Sequence, residues 1–256
     1  MKPIIQLLHF GYHQAMSCIF PVAIFGTLAL SSVFQFPYIY RYDAILFILL
    51  AIQCIMLRSG LETWDEIKVI CLFHLIGLML EIYKVHMGSW SYPEPGYTKI
   101  LGVPLYSGFM YASVASFMCQ IWRRLRMDMT GWPGMVPSFL LGGAIYLNFF
   151  THHFIPDFRW WLTALVFIVF WKTWIIYRVR SATYRMPLSL AFIIVGFFIW
   201  LAENIATFFN GWKYPDQHDS WQLVSFSKIS SWFLLVIISV IIVAQLKYVK
   251  ANRAVK

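Results

Sequence analysis

Two glutamates recur in the same chemical setting. Residues 81–93 read EIYKVHMGSWSYP and residues 203–215 read ENIATFFNGWKYP. Each stretch runs Glu, eight residues, Trp, one residue, Tyr, Pro, and the second follows the first by 122 residues. Each glutamate lies in an apolar run, about five residues short of its end. A carboxylate facing lipid at mid-bilayer costs about 3 kcal/mol on insertion scales, so such a group is expected to turn inward. Three chemistries fit Glu81 and Glu203. They are structural, paired with Lys84, Lys228 or the Trp and Tyr donors, and fix helix register. They are a hypothetical catalytic acid/base pair, one of them readied by burial to donate a proton. Or they bind a cation or proton in a transporter or sensor.

The elements that position them are helices. His74, Gly77, Glu81, Lys84 and Gly88 follow three-and-four spacing, as do Gly196, Trp200, Glu203, Thr207 and Asn210. Each set is a polar stripe on an apolar helix, with small residues for close packing. The candidate ligand-binding wall around the carboxylates is His74, Lys84, His86, Trp90, Tyr92, Trp212 and Tyr214.

The chain of 256 residues is 60% hydrophobic, 19% aromatic and only 12% charged. A soluble domain carries about 25% charged residues. Apolar runs of membrane-crossing length recur from end to end. The expected fold is all-α, a polytopic membrane bundle of about eight transmembrane helices forming a single membrane domain over 1–256. Spans are expected near 14–34, 43–57, 66–86, 105–122, 134–152, 160–177, 187–209 and 223–246. With a cytoplasmic N-terminus, thirteen Lys and Arg, Arg58, Arg124 and Arg185 among them, fall inside and five outside. That bias puts both termini in the cytoplasm. The net charge of +9 is then loop enrichment, and no nucleic-acid partner is expected.

The 122-residue offset also aligns Arg58-Ser59 with Arg180-Ser181. It predicts two parallel four-helix repeats, about 1–125 and 126–256, related by a pseudo-twofold axis along the membrane normal. Such an axis brings Glu81 and Glu203 toward one another.

No metal is expected. His152 and His153 are adjacent, so if that turn is helical they point apart and at most one serves a given site, and the outer side has no HExxH or paired-His cluster. His218, Asp157, Asp216 and Asp219 lie in the same outer loops. Cys18, Cys54, Cys71 and Cys119 read as buried free thiols. No phosphate loop, serine elbow or nucleic-acid module is present, and nothing calls for a cofactor.

Two resemblances attach to the first motif. Glu81 and the following GSWSYPEPGYTKILGVPLYSGFMYASVASF resemble an uncharacterised bacterial integral-membrane family, domain of unknown function 817, and the likeness extends along the chain. It implies a multi-pass protein of the bacterial cytoplasmic membrane and carries no reaction. Glu81, Gly88, Tyr92 and Gly102-Val103-Pro104 are similar to a pattern in membrane carotenoid hydratases, and membrane lycopene cyclases also combine a Trp-x-Tyr turn with acids. That likeness covers about a tenth of the chain. It implies a carboxylic acid that protonates an isoprenoid double bond while aromatic faces stabilise the cation. The aromatic density around the two glutamates motivates the leading expectation, a carboxylate site opening to the outer leaflet. It would take an apolar isoprenoid or lipid-like molecule from the bilayer, as an enzyme or as a binding protein.

Overall fold

The structure, a computed structural model, describes residues 2–34, 36–217 and 219–254, with side chains described for 3–34, 36–217 and 219–244. Among these residues the chain is mostly helical. The helices are α1 (Lys2–Ser17), α2 (Ile19–Val33), α3 (Arg41–Arg58), α4 (Trp64–His86), α5 (Ser107–Arg124), α6 (Met135–Thr151), α7 (Arg159–Val169), α8 (Leu188–Phe208) and α9 (Ser227–Ala254). Five short strands join them: β1 (Lys99–Ile100), β2 (Val103–Pro104), β3 (Asp128–Thr130), β4 (Trp174–Val179) and β5 (Ala182–Pro187).

Several boundaries have local causes. Thr63 caps α4: its hydroxyl accepts from the Glu66 backbone N–H at 3.3 Å, and the Glu66 carboxylate accepts from the Thr63 N–H at 2.8 Å. This reciprocal pair satisfies two otherwise orphaned donors. Leu101 and Gly102 both have positive φ, 49° and 84°, which is the two-residue turn that joins β1 to β2.

Two expected spans are corrected. The run 14–34 is not one helix: α1 and α2 meet at a bend of 57°. Pro21 is the cause. It has no N–H for the Ser17 carbonyl, and its ring crowds that carbonyl. The run 160–177 is not one helix either. α7 stops at Val169, and Trp174–Val179 forms a strand between β3 and β5. WIIYRV is β-branched and aromatic, which favours a pleated strand. Arg180 takes φ 56° at the hairpin tip, and the Thr173 hydroxyl donates to the Gly131 carbonyl at 2.9 Å. The chain is thus helical with a small antiparallel sheet, and not purely α.

Among the described residues, two helices are long and apolar enough to cross a membrane, Leu188–Phe208 and Ser227–Ala244, or three with the bent pair α1–α2 counted as one span. Only 33% and 39% of the residues in the first two are buried, so most of their apolar surface faces away from the protein's own core.

The chain divides into two compact units, and the division is not at the middle of the sequence. One comprises 1–13, 121–201 and 224–256; the other comprises 14–120 and 202–223. In the first, α6, α7 and α9 pack together, and Phe192 makes edge contacts with Phe170 and Phe233. In the second, α2 packs on α3, and Leu28, Ile45 and Leu49 are fully buried. Both motif glutamates belong to the second unit.

Candidate functional site

Glu81 lies in the last turns of α4 and is 6% exposed. Past the end of α4 the chain turns back through Gly88, whose φ is 69°. The turn returns Trp90 and Tyr92 to the glutamate. Oε2 of Glu81 accepts from the Trp90 indole N–H at 2.6 Å and from the Tyr92 hydroxyl at 2.7 Å. Oε1 accepts from the Tyr111 hydroxyl of α5 at 2.8 Å. All three donors are neutral. Three short bonds from neutral donors offset part of the cost of burying the carboxyl group.

Glu203 of α8 is 3% exposed, and its Oε1 accepts from the Tyr214 hydroxyl. Tyr214 lies eleven residues after Glu203, and Tyr92 eleven after Glu81. Trp212 lies near the Tyr214 hydroxyl, whereas Trp90 donates to the carboxylate itself. The Trp90 and Tyr214 rings meet edge to face at 5.9 Å, and the two glutamates lie within electrostatic range of one another. Backbones join the motifs as well. Ser91 N–H donates to the Lys213 carbonyl at 2.9 Å, and Lys213 N–H to the Ser91 carbonyl at 3.0 Å.

Burial, then the neighbouring glutamate, pushes the hydroxyl pKa of Tyr92 well above the phenol range, and Tyr214 behaves alike. Both stay protonated donors. A tyrosine hydroxyl both gives and accepts a proton, while an indole N–H only donates. The Glu81 site can therefore exchange a proton through Tyr92 or Tyr111 but not through Trp90.

Tyr111 reaches Glu81 because α4 and α5 cross closely. A Cβ at Gly77 would lie 2.4 Å from the Tyr111 ring. The relation is reciprocal: a Cβ at Gly108 would lie 2.7 Å from Nδ1 of His74. Each helix thus offers a glycine as the seat for the other's ring.

An outer clamp holds the loops. Arg41 donates to Glu94 at 2.6 Å, to the carbonyls of Phe209 at 2.6 Å, Asn210 at 3.2 Å and Leu28 at 3.3 Å, and to the Ser31 hydroxyl at 3.0 Å. Asp43, 1% exposed, accepts from the backbone N–H of Tyr97 and Thr98, each at 2.8 Å, and from the Thr98 hydroxyl at 2.5 Å. Tyr106 donates to the Gly211 carbonyl and packs beside Tyr42 and Tyr92.

Of the sequence-derived residues, Glu81, Trp90 and Tyr92 are bonded together, as are Glu203 and Tyr214, with Trp212 near the Tyr214 hydroxyl. His74 stands on α4 against Gly108 and the Phe109 ring, 4.6 Å away, and is not a partner of either carboxylate. Lys84 is buried, with Nζ 5.9 Å from the Tyr83 ring centre. His86 is exposed and forms no part of the cluster. His152 bonds to the Phe149 carbonyl at 2.9 Å, and its ring centre lies 4.2 Å from that of His153; both follow the end of α6 at Thr151, so the two do not point apart as they would on a helix. His218 lies outside the described residues. Sequence reasoning missed Tyr111, Arg41 and Asp43. The spacing of Tyr111 three residues after Gly108, mirroring His74 and Gly77, was the available signal for the first.

A model of the family described as "Protein of unknown function (DUF817)" matches residues 6–240. The "Uncharacterized protein YoaT" of Bacillus subtilis (strain 168) is 61% identical over 256 residues, covering 100% of this chain and 97% of that one. Among solved structures, a cross-linked MvINS trimer aligns with a TM-score of 0.49 and 12% identity, over 70% of this chain and 92% of that one. At that level neither fold nor function transfers.

Proposed function

The chain belongs to the family of proteins of unknown function DUF817, and we propose that it is a multi-pass protein of the bacterial cytoplasmic membrane that uses Glu81 and Glu203 to act on or bind an apolar, isoprenoid or lipid-like molecule. Both termini are cytoplasmic in this reading, and the carboxylate site opens toward the outer leaflet. The excess of Lys and Arg in alternate loops supports the orientation. The two equal-span closures, Tyr92 onto Glu81 and Tyr214 onto Glu203, support descent of this segment from a duplication.

The observation that carries the reading is the Glu81 shell. A buried carboxyl is held by two phenols and an indole, and the Tyr92 ring adjoins Tyr42 and Tyr106 edge to face. Such walls suit an apolar ligand and stabilise positive charge that develops on it. The phenols supply a route for returning a proton to the acid.

The test is lipid extraction from cells with the protein, without it, and with Glu81→Gln, read by mass spectrometry. A change in an isoprenoid or lipid species that depends on Glu81 supports conversion. Co-purification of such a species with the wild type alone supports binding. An identical lipid and pigment profile in all three, with nothing co-purifying, removes the proposal.

A second reading is favoured by the saturation of Glu81: both oxygens are already bonded within the chain. The carboxylates then fix helix register and loop closure. Here Glu81→Gln lowers thermal stability and leaves lipids unchanged.

A further inference from the structure

The three-stranded sheet lies wholly in the first compact unit, and its two faces differ in kind. Directly opposed residues of an antiparallel pair share a face, and alternate residues along a strand take opposite faces. Ile175, Tyr177 and Val179 of β4 share one face, with Tyr184 of β5 opposite Tyr177. Ile175 and Val179 are buried. α1 reaches this face: the Phe10 and Tyr177 ring centres lie 5.7 Å apart, and the Tyr184 hydroxyl donates to the Gln6 carboxamide oxygen. The other face carries Trp174, Ile176 and Arg178 of β4, with Arg185 opposite Ile176 and Thr183 opposite Arg178. Arg178, Thr183 and Arg185 are exposed.

Arg178 and Arg185 are diagonal neighbours on this exposed face, a relation that sets Cβ atoms about 7 Å apart. Thr183 stands opposite the first and two residues before the second. Two guanidiniums and a hydroxyl at that spacing suit the oxygens of one phosphodiester. Among the described residues, neither arginine is ion-paired. Arg185 instead stands over the Trp174 ring, with Cζ 5.2 Å from its centre, a contact that occupies none of its hydrogen-bond donors. Asp128 of β3, opposite Ile176, is the acid on this face, and its Oδ1 accepts from the Met129 N–H at 2.8 Å. The Arg178 N–H donates to the Leu125 carbonyl at 2.8 Å. That bond seats exposed Arg126 by the strand end that leads to exposed Arg180. Four arginines thus stand against one aspartate.

The base of the hairpin is tied to a helix long enough to cross a membrane. β5 ends at Pro187 and α8 begins at Leu188, whose N–H donates to the Thr173 carbonyl at 3.0 Å. At the rise of a strand, Arg185 lies about 7 Å and Thr183 about 13 Å from Pro187. The headgroup layer extends about 5–8 Å beyond the hydrocarbon, and arginine side chains bend back toward it. Trp174, opposite Pro187, and Trp171, 79% exposed, supply rings of the kind that settle at headgroup level. We infer that Arg178, Thr183 and Arg185 bind the phosphate of an anionic phospholipid. Such binding rests on the multi-pass reading given above and needs nothing from Glu81. Charge complementarity selects an anion, and the adjoining span selects a lipid over a soluble one.

The experiment is native mass spectrometry of the full-length protein released from bilayers of equal parts phosphatidylglycerol and phosphatidylcholine. Wild type is expected to retain phosphatidylglycerol over phosphatidylcholine by about twentyfold. Arg178→Gln and Arg185→Gln should each lower that preference about fivefold, and the double variant should lose nearly all of it. Should the double variant fail to fold, the two single variants carry the comparison. Glu81→Gln should keep the full preference, which separates this face from the carboxylate site. Arg58→Gln, at an exposed arginine in the other unit, should keep it too. Incorporation with equal retention of the two lipids overturns the inference and leaves the membrane reading standing. A loss in Arg58→Gln as large as in the sheet variants overturns it as well, because charge alone then attracts the lipid. Tighter retention of polyglutamate than of phosphatidylglycerol, through the same two arginines, overturns it in favour of an acidic protein partner. Failure to enter bilayers of either lipid removes the membrane reading and this inference together.

Discussion

Ser91 and Lys213 pair with each other through both of their backbone bonds, 2.9 and 3.0 Å long. They occupy the same place, between Trp and Tyr, in the two motifs. This double exchange is what a hydrogen-bonded antiparallel pair makes, and it ties the two motifs together through their backbones. The match between the two stretches does not extend to every element. α4 and α8 both carry the glutamate, whereas the 122-residue counterpart of α3 is the end of α7 followed by β4.

Closure of each motif by its tyrosine predicts matched losses. Tyr92→Phe and Tyr214→Phe each remove one hydrogen bond to a buried carboxyl and should destabilise the protein by about 1.5–3 kcal/mol. Melting of the two variants in detergent checks this. A loss at Tyr92 with none at Tyr214 would contradict equivalence of the two closures.

Gly77 is the seat of the Tyr111 ring, so Gly77→Ala should push that ring away from Glu81. The expected cost is about 1–3 kcal/mol. Tyr111→Phe should cost less in the Gly77→Ala background than in the wild type, because the bond is already lost. Additive costs in this double-mutant cycle would show that the bond survives the added methyl.

Arg41 ties five acceptors, and its side chain is 13% exposed. Arg41→Ala should cost about 3–5 kcal/mol. Arg41→Lys should recover little of that, since an ammonium cannot span carbonyls and carboxylate at once. Urea or heat unfolding with both variants distinguishes lost geometry from lost charge.

Alkaline pH provides a test of the phenols. Tyr92 and Tyr214 have raised pKa values in the folded protein, while unfolded tyrosine titrates near about 10. Above that pH the unfolded chain loses these protons first, so stability falls as pH rises through the window up to the folded values. Following tyrosinate absorbance and melting together, the Tyr92→Phe, Tyr214→Phe double variant should show a shallower alkaline decline than wild type.

The helices that bear the site were legible because long apolar runs with polar stripes have a single periodic solution. α4 and α8 fall where Glu81 and Glu203 required them. The hairpin β4–β5 was not, because a short apolar run reads alike as buried strand or helix end. Its β-branched WIIYRV and the Arg180-Ser181 turn were the overlooked signals. The Trp and Tyr partners of the glutamates were readable from fixed spacing. Arg41 and Asp43 were not, since their partners lie 168 and 54 residues away for Phe209 and Tyr97. Nothing local to RYD announces a clamp.

The Arg41 clamp also dictates an order of events during synthesis. Its guanidinium emerges from the ribosome long before the carbonyls of Phe209 and Asn210 exist, a delay of roughly 10–30 s at ordinary elongation rates. Through that interval Arg41 has only Leu28, Ser31 and, later, Glu94 to hold. Nascent chains halted before residue 209 should therefore be cut readily by protease around Arg41, and chains released after residue 210 should resist.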